Sequence, residues 1–394
     1  MENKREDEIE KLKKEIENMT QKIDFEGLNK FLNQQHKTSS LDIQIDNIHT
    51  CFGKTKVKHF ESLYIENYKI FKDFKIDRLN KINIFAGFNN SGKTSLLEAV
   101  YLLTKQNHIG AFFEMVKLKN KLNDLNSVYL NKVINKDIKI SGKFNNYNTM
   151  VKISKFEAEN INKKDDYISS YKIESSVDDD KLESTVHTYE NNPLERYYKK
   201  IEILCNSVFK SPYFYNQNEV FNSHSKNVEL KTINKIIKFM KKIDSSIEGI
   251  ELTEEYDVKR FLVDSDKFPE YSVDITSYGE GIQRIFEIAL SFAYVKNGVL
   301  LIDELETAIH KSLLVDFTKF IQELADRFNV QVFITSHSKE CINAFVENNY
   351  KNDDITAFLL KNIDGKIDYR FIDGNRLETL VENMNIDIRG EKNE

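Results

Sequence analysis

Two kinds of hydrophobic spacing divide the chain. Ile9, Leu12, Ile16, Met19 and Ile23 recur at alternating steps of three and four, with Glu and Lys flanking them. That spacing predicts a helix over residues 5–24 with an apolar seam. The seam suits either a short coiled coil for self-association or a helix packed on its own head, and both readings stay open. Residues 34–58 are polar and predict a connector. From His59 the period changes. Phe60–Tyr68 and Phe71–Ile76 predict strands, Lys81–Ala86 a buried strand, and Ser95–Leu103 a helix. Leu118, Leu122, Leu125 and Tyr129 predict an amphipathic helix. Short alternating runs broken by Asn- and Asp-rich turns predict strands across 137–190. Asn192-Pro193 then predicts a helix start, with Asn as cap and Pro in the first turn.

The second half alternates helices with apolar strands. Ile233, Ile236, Ile237, Met240 and Ile243 line one face of a predicted helix over 228–244. Ile282–Tyr294 predicts another helix, and Val299–Ile302 and Val330–Ile334 predict buried strands. Ile355–Leu360, the Asp364-Gly365 turn and Lys366–Ile372 predict a hairpin that closes a sheet, followed by a short helix.

Composition narrows the class. The chain has 394 residues, 40% hydrophobic and 30% charged, which suits two or three lobes with a sizeable core. A net charge of −6 means that nucleic-acid binding would need a local basic patch. Lys231, Lys235, Lys238, Lys241 and Lys242 are the candidate, although frequent acids nearby favour a solvated face on a core helix. No apolar run reaches the roughly 18–20 residues of a membrane helix, and the polar start is unlike a signal peptide. Cys51, Cys205 and Cys341 are scattered and suggest neither a disulfide framework nor a zinc pattern. The expectation is a soluble, cytoplasmic protein with no membrane partner.

The chemistry centres on Gly87-Phe88-Asn89-Asn90-Ser91-Gly92-Lys93-Thr94, which fits the phosphate-binding loop. Its glycines let backbone N–H groups turn inward around phosphate oxygens, with Asn89, Asn90, Ser91 and Ser95 at the same helix start. Lys93 would reach the β- and γ-phosphates, and the Thr94 hydroxyl would hold Mg²⁺. Strand, loop and helix in that order also bring the helix N-terminus to the phosphates of ATP.

Val299–Ile302 ends in Asp303 and Glu304. Such a strand is expected beside the loop's own strand, with Asp303 binding Mg²⁺ and Glu304 polarising the attacking water. Ser277-Tyr278-Gly279-Glu280-Gly281 leads into a helix and makes a second anion site. One chain does not ordinarily hold two sites for one γ-phosphate. Ser277, Gly279 and Gly281 are therefore expected to complete the site of a second protomer, which predicts a homodimer or higher homo-oligomer. His337 follows the next strand in Thr335-Ser336-His337-Ser338, where it can hydrogen-bond a γ-phosphate or its attacking water.

These motifs in this order resemble the ABC-type ATPase heads of RecF, SMC proteins and the OLD (overcoming lysogenisation defect) ATPases. The resemblance rests on Ile65-Glu66-Asn67-Tyr68-Lys69-Ile70-Phe71, Gly87–Ala99, Gly279-Glu280-Gly281 with Arg284, Leu301–His310 and Thr335–Ile342. It implies that Lys69, where the family usually has Arg, lies near the nucleotide. It also implies a Mg²⁺-binding glutamine, for which Gln217 is the candidate. Thr307-Ala308-Ile309 departs from the family's Asn-Gly-Leu. No sustained heptads mark an SMC arm between 105 and 268, and the 57 residues after His337 leave no room for a nuclease domain of typical size.

The expectation is thus an α/β, ABC-type P-loop ATPase head with an inserted helical and β lobe. Its divisions are an N-terminal extension (1–58), the first part of the head (59–104), an inserted lobe (105–268), the second part of the head (269–348) and a hairpin with a helix (349–394). By the resemblance, Mg²⁺-ATP would be turned over slowly between protomers as a switch in anti-phage defence, acting with a separately encoded effector protein. A RecF-like DNA-binding ATPase and an ATP-binding scaffold with little turnover remain the alternatives.

Overall fold

A computed structural model of the chain describes residues 48–384, apart from 53–57, 120–129, 131, 159–166, 190–194, 199, 214 and 256–257. The chain divides into two units, 1–46 and 47–394, and every described residue lies in the second. The heptad helix expected over 5–24 falls outside the described residues.

A short strand, β1 (Ile48–Thr50), opens the described chain. The first hairpin follows the alternation read from the sequence, with β2 (Phe60–Tyr68) and β3 (Phe71–Ile76) antiparallel. β4 (Ile82–Gly87) is buried at every residue. It runs through the phosphate loop into α1 (Lys93–Lys105), and α2 (Ile109–Lys119) comes next. Four strands then continue the hairpin's sheet: β5 (Ile138–Phe144), β6 (Tyr147–Phe156), β7 (Tyr167–Val177) and β8 (Asp180–Tyr189). β9 (Glu195–Tyr198) completes it, in the order β3-β2-β5-β6-β7-β8-β9. Asn192 and Pro193 of the expected helix start lie outside the described residues, and Glu195–Tyr198, just after them, is strand and not helix. That segment pairs with β8, with Ser184 opposite Tyr198 and His187 opposite Glu195.

β10 (Ile201–Ile203) pairs with β1, so the end of the expected connector contributes a strand. β11 (Ser207–Lys210) enters the core sheet. Then come α3 (Gln217–Glu229), α4 (Ile233–Ile243), β12 (Ile247–Glu255), β13 (Val258–Ser265) and β14 (Val273–Asp274). The rest is α5 (Glu280–Tyr294), β15 (Val299–Ile302), α6 (Lys311–Phe328), β16 (Gln331–Ser336), α7 (Lys339–Glu347), β17 (Ile355–Ile363), β18 (Lys366–Asp373) and α8 (Gly374–Met384).

The core sheet has the order β11-β15-β16-β4-β17-β18 and is parallel except for β18. Two expectations change here. First, 105–268 is not one inserted lobe. β11 belongs to the core sheet, and β5–β9 extend the sheet that β2 and β3 begin. Second, β15 does not lie beside β4, because β16 runs between them. Both faces of this sheet are covered, which is why its strands read as near-continuous apolar runs. Ile82, Ile84, Leu300, Ile302, Val332 and Ile334 share one buried cluster with the helices α3 to α7. On the other face Phe85 stacks with Phe358, and Phe333 meets Phe60 of β2. The Gln331 side chain ties the two sheets, accepting from Phe60 N and donating to Phe60 O at 2.9 Å each.

α1 lies between the sheets, touching β11, β15 and β16 on one side and β2, β5 and β6 on the other. Leu96, Leu97, Ala99, Val100, Leu102 and Leu103 are all buried, the nearly all-round burial expected of a helix clamped from two sides. The phosphate loop is thus mounted on a helix with little freedom to shift. α4 buries Ile236, Phe239 and Met240, while Lys235 and Lys241 pair with Glu323 and Glu248. No helix among the described residues is long and apolar enough to cross a membrane.

Candidate functional site

The phosphate loop is shaped by its glycines. Gly87 and Gly92 have φ of 150° and 88°. A Cβ on Gly87 would lie 2.5 Å from Leu360 O, and one on Gly92 would lie 2.8 Å from the Phe71 ring. Asn90 takes φ 63°, a conformation asparagine tolerates better than most residues. Asn89 and Asn90 are exposed, Ser91 is buried, and Thr94 and Ser95 are half-buried at the start of α1. Lys93 Nζ donates to the carbonyls of Gly87 and Phe88, both at 2.9 Å, and lies 3.4 Å from Ser91 Oγ. Burial pulls the Lys93 ammonium down to about 8, opposed by the charges of Asp303, Glu304 and Glu306. A polyphosphate in the loop would supply the anionic partner that this cation lacks in its own loop.

The neighbouring strand ends bring the acids to the loop. Asp303 Oδ1 accepts from Thr94 Oγ1 at 3.1 Å and from Thr335 Oγ1 at 2.7 Å. Burial raises the Asp303 carboxyl, and these two hydroxyls work against that rise. Thr335 stands at the end of β16. The interposed strand therefore supplies a hydroxyl that also accepts from Glu304 N at 2.8 Å. Glu304 sits at φ 49°, unusual for a residue with a side chain. Its Oε2 accepts from Tyr213 Oη at 2.8 Å and Thr307 Oγ1 at 3.2 Å, while its Oε1 lies 3.9 Å from His337 Nε2. Glu306 Oε1 accepts from the backbone N–H of His337 (2.5 Å) and Ser338 (3.0 Å), fixing the loop that carries the histidine. Arg284 of α5 donates through Nη2 to the carbonyls of Asp303 and Glu304, both at 2.7 Å.

The structure thus brings together Lys93, Thr94, Asp303, Glu304 and His337. It does not bring in Gln217, whose exposed amide donates to Lys259 O at 3.2 Å. Lys69 turns to Glu98 of α1, which also accepts from Tyr68 Oη at 2.8 Å. The Ser277–Gly281 segment divides. Ser277 and Gly279 are exposed, and a Cβ on Gly279 would meet nothing within 4 Å. A Cβ on Gly281 would lie 2.3 Å from Ala308 O, so close packing within the chain explains that glycine.

Tyr213, Thr335 and Glu306 were not singled out by the sequence reading. A hydroxyl at the end of the apolar run Val330–Ile334 could have flagged Thr335, and the second acid after Glu304 could have flagged Glu306. Nothing local marks Tyr213.

Among the described residues no cluster of three or more His, Cys, Asp or Glu is placed to hold a metal. One carboxylate and one hydroxyl is instead a donor set that suits Mg²⁺, which keeps several waters and takes its other ligands from substrate phosphates. The tight glycine turn, packed against Leu360 O and Phe71 with its N–H groups at the start of α1, and the contact between Thr94 and Asp303 fit Mg²⁺ with a nucleotide.

Strand, glycine loop, clamped helix and the acidic end of β15 define an α/β P-loop ATPase fold of the ABC/AAA type. The chain belongs to the AAA_21 family, "AAA domain, putative AbiEii toxin, Type IV TA system", which matches residues 82–343. It is similar to a Helicobacter pylori protein named ATP/GTP phosphatase, with 24% identity over 374 residues covering 82% of this chain and 98% of that protein. It is also similar to Methanocaldococcus jannaschii protein MJECL11, with 33% identity over 122 residues, 28% of this chain and 99% of that protein. Among solved structures, a Pyrococcus furiosus Smc head with the C-terminal domain of ScpA aligns at a TM-score of 0.44 and 11% identity, covering 83% of this chain and 100% of that one. An SMC head from Thermotoga maritima aligns at 0.38 and 12%, covering 80% and 99%.

Proposed function

We propose that this chain binds Mg²⁺-ATP and hydrolyses it to ADP and phosphate, with two protomers closing around each nucleotide. The carrying observation is the union of Thr94 with Asp303 at 3.1 Å, with Glu304 one residue further and its Oε1 turned toward His337. Lys93, with the loop N–H groups of Gly87 to Ser95, holds the β- and γ-phosphates. Thr94 and Asp303 would hold Mg²⁺, which would supply charge stabilisation at the phosphates. Glu304 Oε1 takes a proton from the water whose oxygen attacks the γ-phosphorus, and the electron pair of the breaking bond leaves on the ADP oxygen. His337 orients that water or the γ-phosphate. The exposed Ser277 and open Gly279 support a role for this segment on the nucleotide of a second copy.

The biological reading is a switch. Resemblance to the heads used in anti-phage defence supports a separately encoded effector as partner, and the family description names a toxin–antitoxin setting. The nucleic-acid reading gains nothing from α4, where Lys235 and Lys241 are engaged by acids.

Glu304→Gln tests the chemistry. It is nearly isosteric and leaves Asp303 in place, so Mg²⁺-ATP affinity in calorimetry should stay near wild type. kcat should fall by about 10²–10⁴-fold, the usual worth of a positioned base. An unchanged kcat would remove Glu304 from the mechanism.

A further inference from the structure

The geometry points to Tyr213 as the positioning residue for the Glu304 carboxylate, an inference that rests on the reading of Glu304 as the base. β11 runs parallel to β15, with Lys210 opposite Ile302, and Asp303 N donates to Lys210 O at 2.8 Å. The segment leaving β11 therefore travels beside the turn that carries the two acids. Its next anchor is α3, where the Asn216 side chain caps Glu219 N and donates to Glu114 at 3.0 Å. Between those anchors Tyr213, a residue 56% exposed, ends its side chain on Glu304 Oε2 at 2.8 Å. A residue so exposed adds little to the core, and its hydroxyl has a specific partner in Glu304.

The two oxygens of Glu304 have separate surroundings. Oε2 takes both hydroxyl donors, Tyr213 and Thr307, while Oε1 faces His337. The left-handed backbone of Glu304 fixes where its side chain starts, and the two donors fix how the carboxylate is turned. Tyr213 thereby reserves Oε1 for the proton of the attacking water, without touching the phosphate loop. Its contribution is orientation, and it belongs in kcat rather than in nucleotide binding.

Tyr213→Phe removes the hydroxyl and keeps the ring. Steady-state hydrolysis of Mg²⁺-ATP is compared for the wild type, Tyr213→Phe, Glu304→Gln and the double variant, with thermal unfolding as the check on folding. The expected result is a kcat lower by about tenfold or more, the usual worth of a hydrogen bond to a charged group, with KM within about twofold and an unchanged melting temperature. The Phe change should have no further effect once Glu304 is Gln, because both act through one carboxylate. A wild-type kcat, a loss that appears in KM, or an equal fractional loss in both backgrounds would overturn the assignment. Glu304→Gln inactive with Tyr213→Phe at full rate sinks the positioning role alone. Glu304→Gln at full rate sinks the base reading and this inference together.

Discussion

The phosphate loop and the Ser277–Gly281 segment are built from the same materials and end in opposite conditions. Each offers glycines, a hydroxyl and a helix N-terminus. The first is enclosed: Gly87 lies against Leu360 O, Gly92 against Phe71, and Lys93 folds onto its own loop carbonyls. The second is bare where it matters, with Ser277 and Gly279 exposed and open space around Gly279. One glycine there, Gly281, is required by its own chain through Ala308 O. The contrast teaches that a glycine motif carries two separable demands: internal packing, and an open approach for something from outside. Arg284 couples the two regions within one chain, since its guanidinium reaches from the helix that follows the bare segment to the turn that holds Asp303 and Glu304.

The largest effect should come from the enclosed region. Lys93→Ala removes the one cation set inside the loop and should weaken Mg²⁺-ATP binding by about 100-fold or more, roughly 3 kcal/mol of charge-assisted bonding. Near wild-type affinity in calorimetry would break the comparison at its first term. A much smaller effect sharpens the second term. Gly281→Ala should destabilise the fold by about 1–3 kcal/mol in denaturant unfolding, because the new methyl group meets a backbone carbonyl. Gly279→Ala should stay within about 0.5 kcal/mol, since that Cβ enters open space at an ordinary φ of −59°. Equal costs would mean that the two glycines do not differ in the way described.

The sequence made the enclosed region legible because its signals are local. A glycine loop between an apolar strand and a helix, and two acids after Val299–Ile302, are each read within about a dozen residues. His337 was legible by its place after the next strand. What escaped depends on which strands pair. β11 is four residues long, and only its register with β15 brings Tyr213 to Glu304. β16 lies between β4 and β15, which the motif order did not reveal, and it sets Thr335 against Asp303. A second reason for Gly281, the nearby Ala308 O, is invisible in a linear reading. Gln217 was chosen from a resemblance and sits on Lys259 instead. The Asn192-Pro193 signal lies outside the described residues, and the strand just after it, Glu195–Tyr198, depends on pairing with β8 that no local signal shows.

The central claim is that the bare segment of one protomer completes the enclosed site of another, and a mixing experiment tests it most directly. Gly279→Asp sets a carboxylate where another copy's γ-phosphate should approach, leaving Lys93 in the same chain untouched. Alone, it should bind ATP normally and hydrolyse it poorly, while Lys93→Ala should be inactive for want of nucleotide. In a mixed dimer, one of the two sites pairs an intact loop with an intact segment and the other carries both lesions. Random exchange should then restore about a quarter of the wild-type rate per chain, given a symmetric dimer whose sites act independently. Recovery of activity on mixing two inactive proteins is the predicted result. Hydrolysis at the wild-type rate by Gly279→Asp on its own would contradict the account.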